Sequence, residues 1–199
     1  MLDVQSQTKE EVITAISANG DLYPISKWDA HVQNVPHLAV SVFLFNRGRM
    51  LLQQRADSKY HSGGLWANTC CSHPRWNESL PDCAERRLFE EVGCREIQLT
   101  NFGKIDYKAD VGGELFENET AHCFAGYVDD DTLPTLFNRD EVQAVRWLDL
   151  IELQQDIKDN PGNYSKWIRI YINQHFNLIS DVAFGLPEAV DKTEVSARA

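Results

Sequence analysis

The segment from Phe116 to Val128 alternates as a long strand, and it restricts the fold more than any other part of the chain. Period 2 places Glu117, Glu119, Ala121, Cys123 and Ala125 on one face. Two carboxylates roughly 6.6 Å apart thus continue a face that is otherwise small and apolar. If that face lies against a core, two unpaired carboxylates are costly, and a cation between them removes the cost. The alternative is that Phe116, Asn118, Thr120, His122 and Phe124 face the core and both glutamates are solvated.

The elements around this strand set its context. Ile13 to Ser26 reads as a strand, an Asn19-Gly20 turn and a short extended piece, since Asn-Gly supplies the positive φ of a tight hairpin. His37 to Phe45 and Met50 to Arg55 are β-forming runs separated by Asn46-Arg47-Gly48-Arg49, a second hairpin signal. Leu65 to Cys71 follows the Gly63-Gly64 break as a further strand, and Val142 to Leu148 is another. The period changes at Ser79. Ser79 with Asp82 suggests a capping box, Pro81 suits a first turn and Gly93 suits a C-terminal cap, which frames a helix from about Leu80 to Val92. Its stripe Leu80, Cys83, Ala84, Leu88 and Val92 faces a core, with Arg87 and Glu91 sharing one edge. Trp167, Ile168, Tyr171, Ile172, Phe176 and Ile179 mark a closing amphipathic helix.

Strands and helices mixed without strict alternation argue for an α+β layered fold. With 199 residues and 43% hydrophobic content, the chain has material for one core, and wholesale disorder is excluded. We expect a single domain over 13–180, a flexible N-terminus over 1–12, and a disordered polar tail over 187–199.

Charge limits the partners. Nineteen basic against thirty acidic side chains give a net charge of −11, which disfavours nucleic acid and anionic membrane. An anionic ligand needs a local basic pocket, and the first hundred residues, at net −2, are a better place for it than the remainder, at −9. The acidic start and the lack of a long apolar run predict a cytoplasmic protein without a membrane span. Five cysteines, an odd number with no C-x-x-C pair, predict reduced thiols.

Three histidines could accompany the glutamates. His31 and His37 flank the start of the first core strand, and His73 lies two residues after Cys71. Three imidazoles and two carboxylates suit Mn, Zn or Fe in an octahedral site, although none of these histidines has zinc-finger spacing and each would be unremarkable on a surface or in a core. Arg55 and Lys59 could bind phosphate, whereas Arg47 and Arg49, in the turn, read as a solvated hairpin face.

The helix resolves these alternatives by resemblance. Glu78, seven residues, then Arg86-Arg87-Leu88-Phe89-Glu90-Glu91-Val92-Gly93 resembles the Nudix box, with two departures: Ser72 stands in place of its first glycine and Arg87 in place of a glutamate. Lys27-Trp28-Asp29-Ala30-His31, Pro36-His37-Leu38-Ala39, Arg55-Ala56-Asp57-Ser58-Lys59, Asn68-Thr69-Cys70-Cys71-Ser72-His73-Pro74 and Glu117-Asn118-Glu119 together look like type 1 isopentenyl diphosphate isomerase, from about Ile13 to Phe176. The resemblance implies a Nudix-type α/β/α layered fold with a mixed sheet, extra N-terminal strands and C-terminal helices. It implies interconversion of isopentenyl and dimethylallyl diphosphate through a tertiary carbocation, supplying the allylic starter for isoprenoid biosynthesis.

Residue by residue, it implies that Cys71 and Glu119 are the acid/base pair, that Tyr107 assists Glu119, and that Trp167 faces the cation. It implies one divalent ion (Mn, Zn or Mg) held by His31, His37, His73, Glu117 and Glu119, and one Mg arriving with the diphosphate near Glu91 and Cys71. Lys27, Arg55, Lys59 and Arg87 match the diphosphate contacts, Cys70 is assigned to packing, and the expected assembly is a monomer or weak homodimer. A Nudix hydrolase would need the full set of helix carboxylates, which Arg87 breaks. A catalytically silent binding module would have no use for the acid/base pair.

Overall fold

A computed structural model describes residues 11–129 and 134–185 of the chain. Strand β3 (His37–Asn46) organises it, because this run of β-branched and aromatic residues is buried along nearly its whole length. The hairpin β1 (Val12–Ile16) and β2 (Leu22–Ser26) joins the start of β3 through Ala15 and His37. The end of β3 turns into β4 (Arg49–Arg55) through Arg47 at φ 50° and Gly48 at φ 80°, the two consecutive left-handed residues that a tight hairpin requires. On its other side β3 runs parallel to β8 (Leu115–Tyr127), which pairs antiparallel with β7 (Thr100–Gly112). Strands β5 (Trp66–Ala67), β6 (Cys70–Ser72) and β9 (Val142–Asp149) complete a mixed sheet of nine strands among the described residues.

Alternation along these strands separates two apolar layers. Ala39, Phe43 and Phe45 of β3 and Ala121, Cys123 and Ala125 of β8 pack against α3 (Leu150–Asp159), α4 (Lys166–Gln174) and α5 (Phe176–Ala183). Val40, Val42 and Leu44, with Cys70 and Phe124, pack against the stripe of α2 (Leu80–Val92). The expected α+β sheet with helices on both faces is the observed architecture. A short helix, α1 (Lys27–Val32), capped by the Ser26 hydroxyl accepting from the Asp29 amide, leads from β2 toward β3.

Several elements differ from the sequence reading. Strand β7 and helices α1 and α3 were not anticipated. The expected strand over Leu65–Cys71 is broken at Asn68 and Thr69, whose side chains replace ladder bonds: Asn68 Nδ2 donates to the Val42 carbonyl (3.1 Å), and Thr69 Oγ1 accepts from the Leu44 amide (2.9 Å) and donates to the Leu51 carbonyl (2.6 Å). The closing helix is two helices, α4 and α5, separated at His175. At α2 the Ser79 hydroxyl accepts from the Asp82 amide, but the Asp82 carboxylate turns to the Ser79 hydroxyl rather than to its backbone, so the reciprocal half of the capping box is absent. The expectations for 1–10 and 187–199 fall outside the described residues; Val12 already begins β1.

The ends of α2 give a direct test. Gly93 caps it at φ 76°, and an added Cβ would lie 2.8 Å from the Leu136 carbonyl oxygen. Gly93→Ala should therefore destabilise the fold by at least about 1–2 kcal/mol, and Ser79→Ala, which removes the N-cap bond together with the hydroxyl's bond to the exposed Asp82 carboxylate, by about 1 kcal/mol; urea unfolding of the two variants measures both.

Candidate functional site

Three strand registers assemble the centre of the site. In the parallel β3–β8 ladder His37 lies beside Glu119, in the antiparallel β7–β8 ladder Tyr107 lies opposite Glu119, and in the β3–β6 ladder Ser41 lies opposite Cys71. All these side chains share the layer covered by α3, α4 and α5, because residues two apart on one strand return to the same face. Glu117 and Glu119 are 4% and 6% exposed, so the strand turns its carboxylates inward and the solvated alternative is excluded. The Tyr107 hydroxyl bridges them, at 2.8 Å from Glu117 Oε2 and 2.6 Å from Glu119 Oε2.

The histidines meet the carboxylates. Nδ1 of His31 lies 2.6 Å from the Lys27 carbonyl and Nδ1 of His37 lies 2.7 Å from the Val35 carbonyl. A carbonyl accepts only, so both rings carry their proton on Nδ1 and leave the Nε2 lone pair free. Both Nε2 atoms are buried without a hydrogen-bond partner, as is Nδ1 of His73. His73 Nε2 approaches Glu119 Oε1 at 2.9 Å and His37 Nε2 approaches it at 3.7 Å. One donor atom from each of His31, His37, His73 and Glu119 lies within 4.8 Å of the others, and the same holds for His31, His61 and Glu117. Orphaned imidazole lone pairs facing buried carboxylates fit a divalent cation, and this cluster is able to bind one.

The electrostatics show how strained the cluster is as protein alone. Burial, then the neighbouring imidazoles, pulls His31 down to about 3. Burial pulls His73 down to about 4 against the opposing pull of Glu119. Burial pushes Glu117 upward and the charge of Glu119 adds to it, whereas the imidazoles of His37 and His73 outweigh burial at Glu119 and hold it ionised. Burial, followed by the charges of both glutamates, raises the Tyr107 phenol.

Cys71 lies in the same cavity with its thiol hydrogen directed at Asn68 Oδ1 (2.9 Å), and Ser41 Oγ stands between Cys71 Sγ (3.3 Å) and Tyr171 Oη (2.7 Å). Burial chiefly pushes this thiol well up, so it is protonated. Cys71 and Glu91 line the cavity but stand outside both donor clusters. Cys70 turns into the opposite layer beneath α2, in agreement with a packing role.

The basic residues expected to hold a diphosphate converge on this cavity, each already paired. Lys27 meets Glu11 (2.8 Å), Lys59 meets Glu141 (2.6 Å), and Arg87 meets Glu91 (2.7 Å), Glu90 (2.8 Å) and Glu141 (3.3 Å). Arg55 donates to the His61 carbonyl (3.3 Å), keeps a buried Nε without a partner, and lies 5.2 Å from the ring centre of Trp167. Trp167 lines the cavity from α4, so its cation–π partner here is Arg55. Elsewhere on α2, Arg86 ties Glu78 (2.5 Å) and Glu90 (2.9 Å) together, so those box residues fasten the preceding loop to the helix.

His61, Glu141, Glu11, Ser41, Asn68 and Tyr171 are site residues that the sequence reading missed. Glu141 is one acid in an acidic half, and His61 lies in a loop without periodicity. For Ser41 there was a signal, since period 2 along β3 places it on the face of His37.

Comparison with known proteins agrees with this geometry. Residues 35–169 match the NUDIX domain family. The isopentenyl-diphosphate Delta-isomerase of Jannaschia sp. (strain CCS1) is 42% identical over 83% of this chain and 93% of its own length. That of Roseobacter denitrificans (strain ATCC 33942 / OCh 114) is 45% identical over 79% and 89%. Among solved structures, DR0079 from Deinococcus radiodurans aligns with a TM-score of 0.66 at 14% identity over 81% of this chain and 97% of that one, a likeness of fold. The chain belongs to the NUDIX family and, within it, to the isopentenyl-diphosphate Delta-isomerases.

Proposed function

We propose that the cavity interconverts isopentenyl and dimethylallyl diphosphate by adding a proton to the terminal methylene carbon and removing one from the carbon on the other side of the cationic centre. The observation that carries this reading is that Cys71 and Glu119 line one buried cavity, with burial pushing the thiol up and the facing histidines holding the carboxyl down against burial. A 1,3-proton shift needs one group that holds a proton and one that accepts it. Cys71 gives one proton and Glu119 gains one, so the protein's proton count is unchanged, and return of a proton from Glu119 to Cys71 restores the starting state; in the reverse direction the two exchange roles.

Each neighbour serves that exchange. Ser41 and Asn68 fix the Cys71 sulfur, and Tyr107 offers Glu119 a proton from a phenol that also touches Glu117. Trp167 and the apolar layer behind it exclude water, which would otherwise capture a tertiary carbocation. Indole can also stabilise the cation by roughly 0.5–2 kcal/mol. Lys27, Arg55, Lys59 and Arg87 receive the diphosphate, which takes over donors now held by Glu11, Glu91 and Glu141. His31, His37, His73, Glu117 and Glu119 would hold a divalent ion, whose positive charge would keep both carboxylates ionised, and Glu91 and Cys71 would stand near a Mg that would offset the charge of the diphosphate. With Arg87 in place of a carboxylate, α2 presents a cation to the diphosphate and lacks a ligand for hydrolysis.

Incubation of isopentenyl diphosphate with the protein and Mg in deuterated water, followed by proton and phosphorus NMR, should give deuterated dimethylallyl diphosphate with both phosphates retained. Released phosphate would overturn the reading in favour of hydrolysis. Cys71→Ala and Glu119→Gln should each abolish turnover while circular dichroism stays unchanged. Lys59→Met removes a charged contact worth about 1.5–3 kcal/mol, so kcat/KM should fall roughly 10- to 150-fold.

The acid partners predict a pH dependence of stability. Burial opposes ionisation of Glu11 and Glu141, but Lys27 outweighs it at the first, and Lys59 then Arg87 at the second, bringing both to about 2 from 4.5. A depressed carboxylate contributes stability that is complete above the unfolded value and is lost as pH falls through the folded one. Urea midpoints should therefore decline between pH 4.5 and about 2, and Glu141→Gln should make that decline shallower.

A further inference from the structure

His61 is buried, 8% exposed, and no part of the proposed chemistry uses its side chain. Its Nδ1 faces Ser62 Oγ at 3.2 Å, and its Nε2 faces Glu117 Oε1 at 3.5 Å, too long for a hydrogen bond. Two ligands at neighbouring corners of an octahedron, each about 2.1 Å from the ion, stand about 3 Å apart, and two at opposite corners about 4.2 Å apart. The 3.5 Å separation lies between these two values, and one donor atom from each of His31, His61 and Glu117 lies within 4.8 Å of the others.

This group and that of His31, His37, His73 and Glu119 have His31 in common. Nδ1 of His31 is committed to the Lys27 carbonyl, so the ring has a single lone pair, on Nε2, and serves one ion only. The two groups therefore describe one centre rather than two. The rings agree with a common focus: the centroids of His31, His37 and His73 are 4.9–5.1 Å apart, and that of His61 is 5.8 Å from His31.

We propose that His61 is a sixth protein ligand of this centre, which then comprises four imidazoles and two carboxylates and leaves no coordination position for water or substrate. The inference rests on the reading of the cluster as a divalent-ion site. A centre closed in this way acts on Glu119 by fixing its position and its charge. The alkene has no vacant corner to bind, so the chemistry stays with Cys71, Glu119 and Tyr107.

The test uses the full chain loaded with Mn. X-ray absorption should return four imidazoles among six light ligands, and water-proton relaxation should detect no exchanging water on the ion. His61→Ala should admit a water, raise the relaxivity and weaken Mn binding at least tenfold; His61→Asn, which keeps a polar group, provides a second variant if the first fails to fold. Three imidazoles and a bound water in the wild type, with relaxivity unchanged in the variants, would overturn the sixth ligand while leaving the five-residue centre intact. Failure of the wild type to bind Mn at all would overturn the centre and the sixth ligand together.

Discussion

Glu117 and Glu119 project from one face of β8 into a layer walled by aromatic and aliphatic side chains, and they share a single phenol. Two buried carboxylates this close cannot both ionise without compensating charge, and as protein alone they separate into one raised and one ionised group. His31 and His73 are constrained in the opposite sense, both pulled down by burial. Neutral nitrogen donors and carboxylates form the ligand set of a hard or borderline cation, so the same burial that penalises these charges also prepares their binding site. The position of β8 beside β3 and β7, and hence the path of the sheet through the molecule, places these residues together.

Helix α2 shows how a charge reversal redirects a scaffold. Arg86 and Glu78 fasten its N-terminal side, while Arg87, one residue on, turns toward the cavity and bonds Glu91 at 2.7 Å. Glu91 accepts from Arg87 on one oxygen and from Gln53 Nε2 (2.9 Å) on the other. The carboxylate that remains is held by a network rather than presented as part of an acidic row, and the helix contributes positive charge to the cavity proposed to take the diphosphate.

Much of the site was legible because its residues lie on regular elements. The inward face of β8 followed from alternation, and α2 followed from its stripe and its caps. Strand β7 escaped because a bulge between Asn101 and Gly103 shifts its period and its outer face carries Lys104, Asp106 and Lys108. Helix α1 has six residues, too few to display a period, although α3 had a legible N-cap in Asp149 and a stripe of Leu150, Leu153 and Ile157. Tyr107 was identified by resemblance alone, and only pairing with β8 explains its position. His61 and Glu141 reach the cavity, and Glu11 reaches Lys27 beside it, from segments outside regular strands and helices, where spacing along the chain carries no information about direction.

The adjacent cysteines have a consequence for oxidative chemistry. Cys70 and Cys71 occupy successive positions of β6 and face opposite layers, so their sulfurs point apart. The other cysteine on the face of Cys71 is Cys123, and both lie beside Ser41 in register, one on each side. Two strand spacings separate their backbones by roughly 9.6 Å, beyond the 4.4–6.8 Å that a disulfide spans. Neither of these thiols, in the folded sheet, can resolve a sulfenic acid formed on Cys71 into a protective disulfide. Peroxide damage at this sulfur would proceed toward sulfinic acid unless an external thiol such as glutathione intervened.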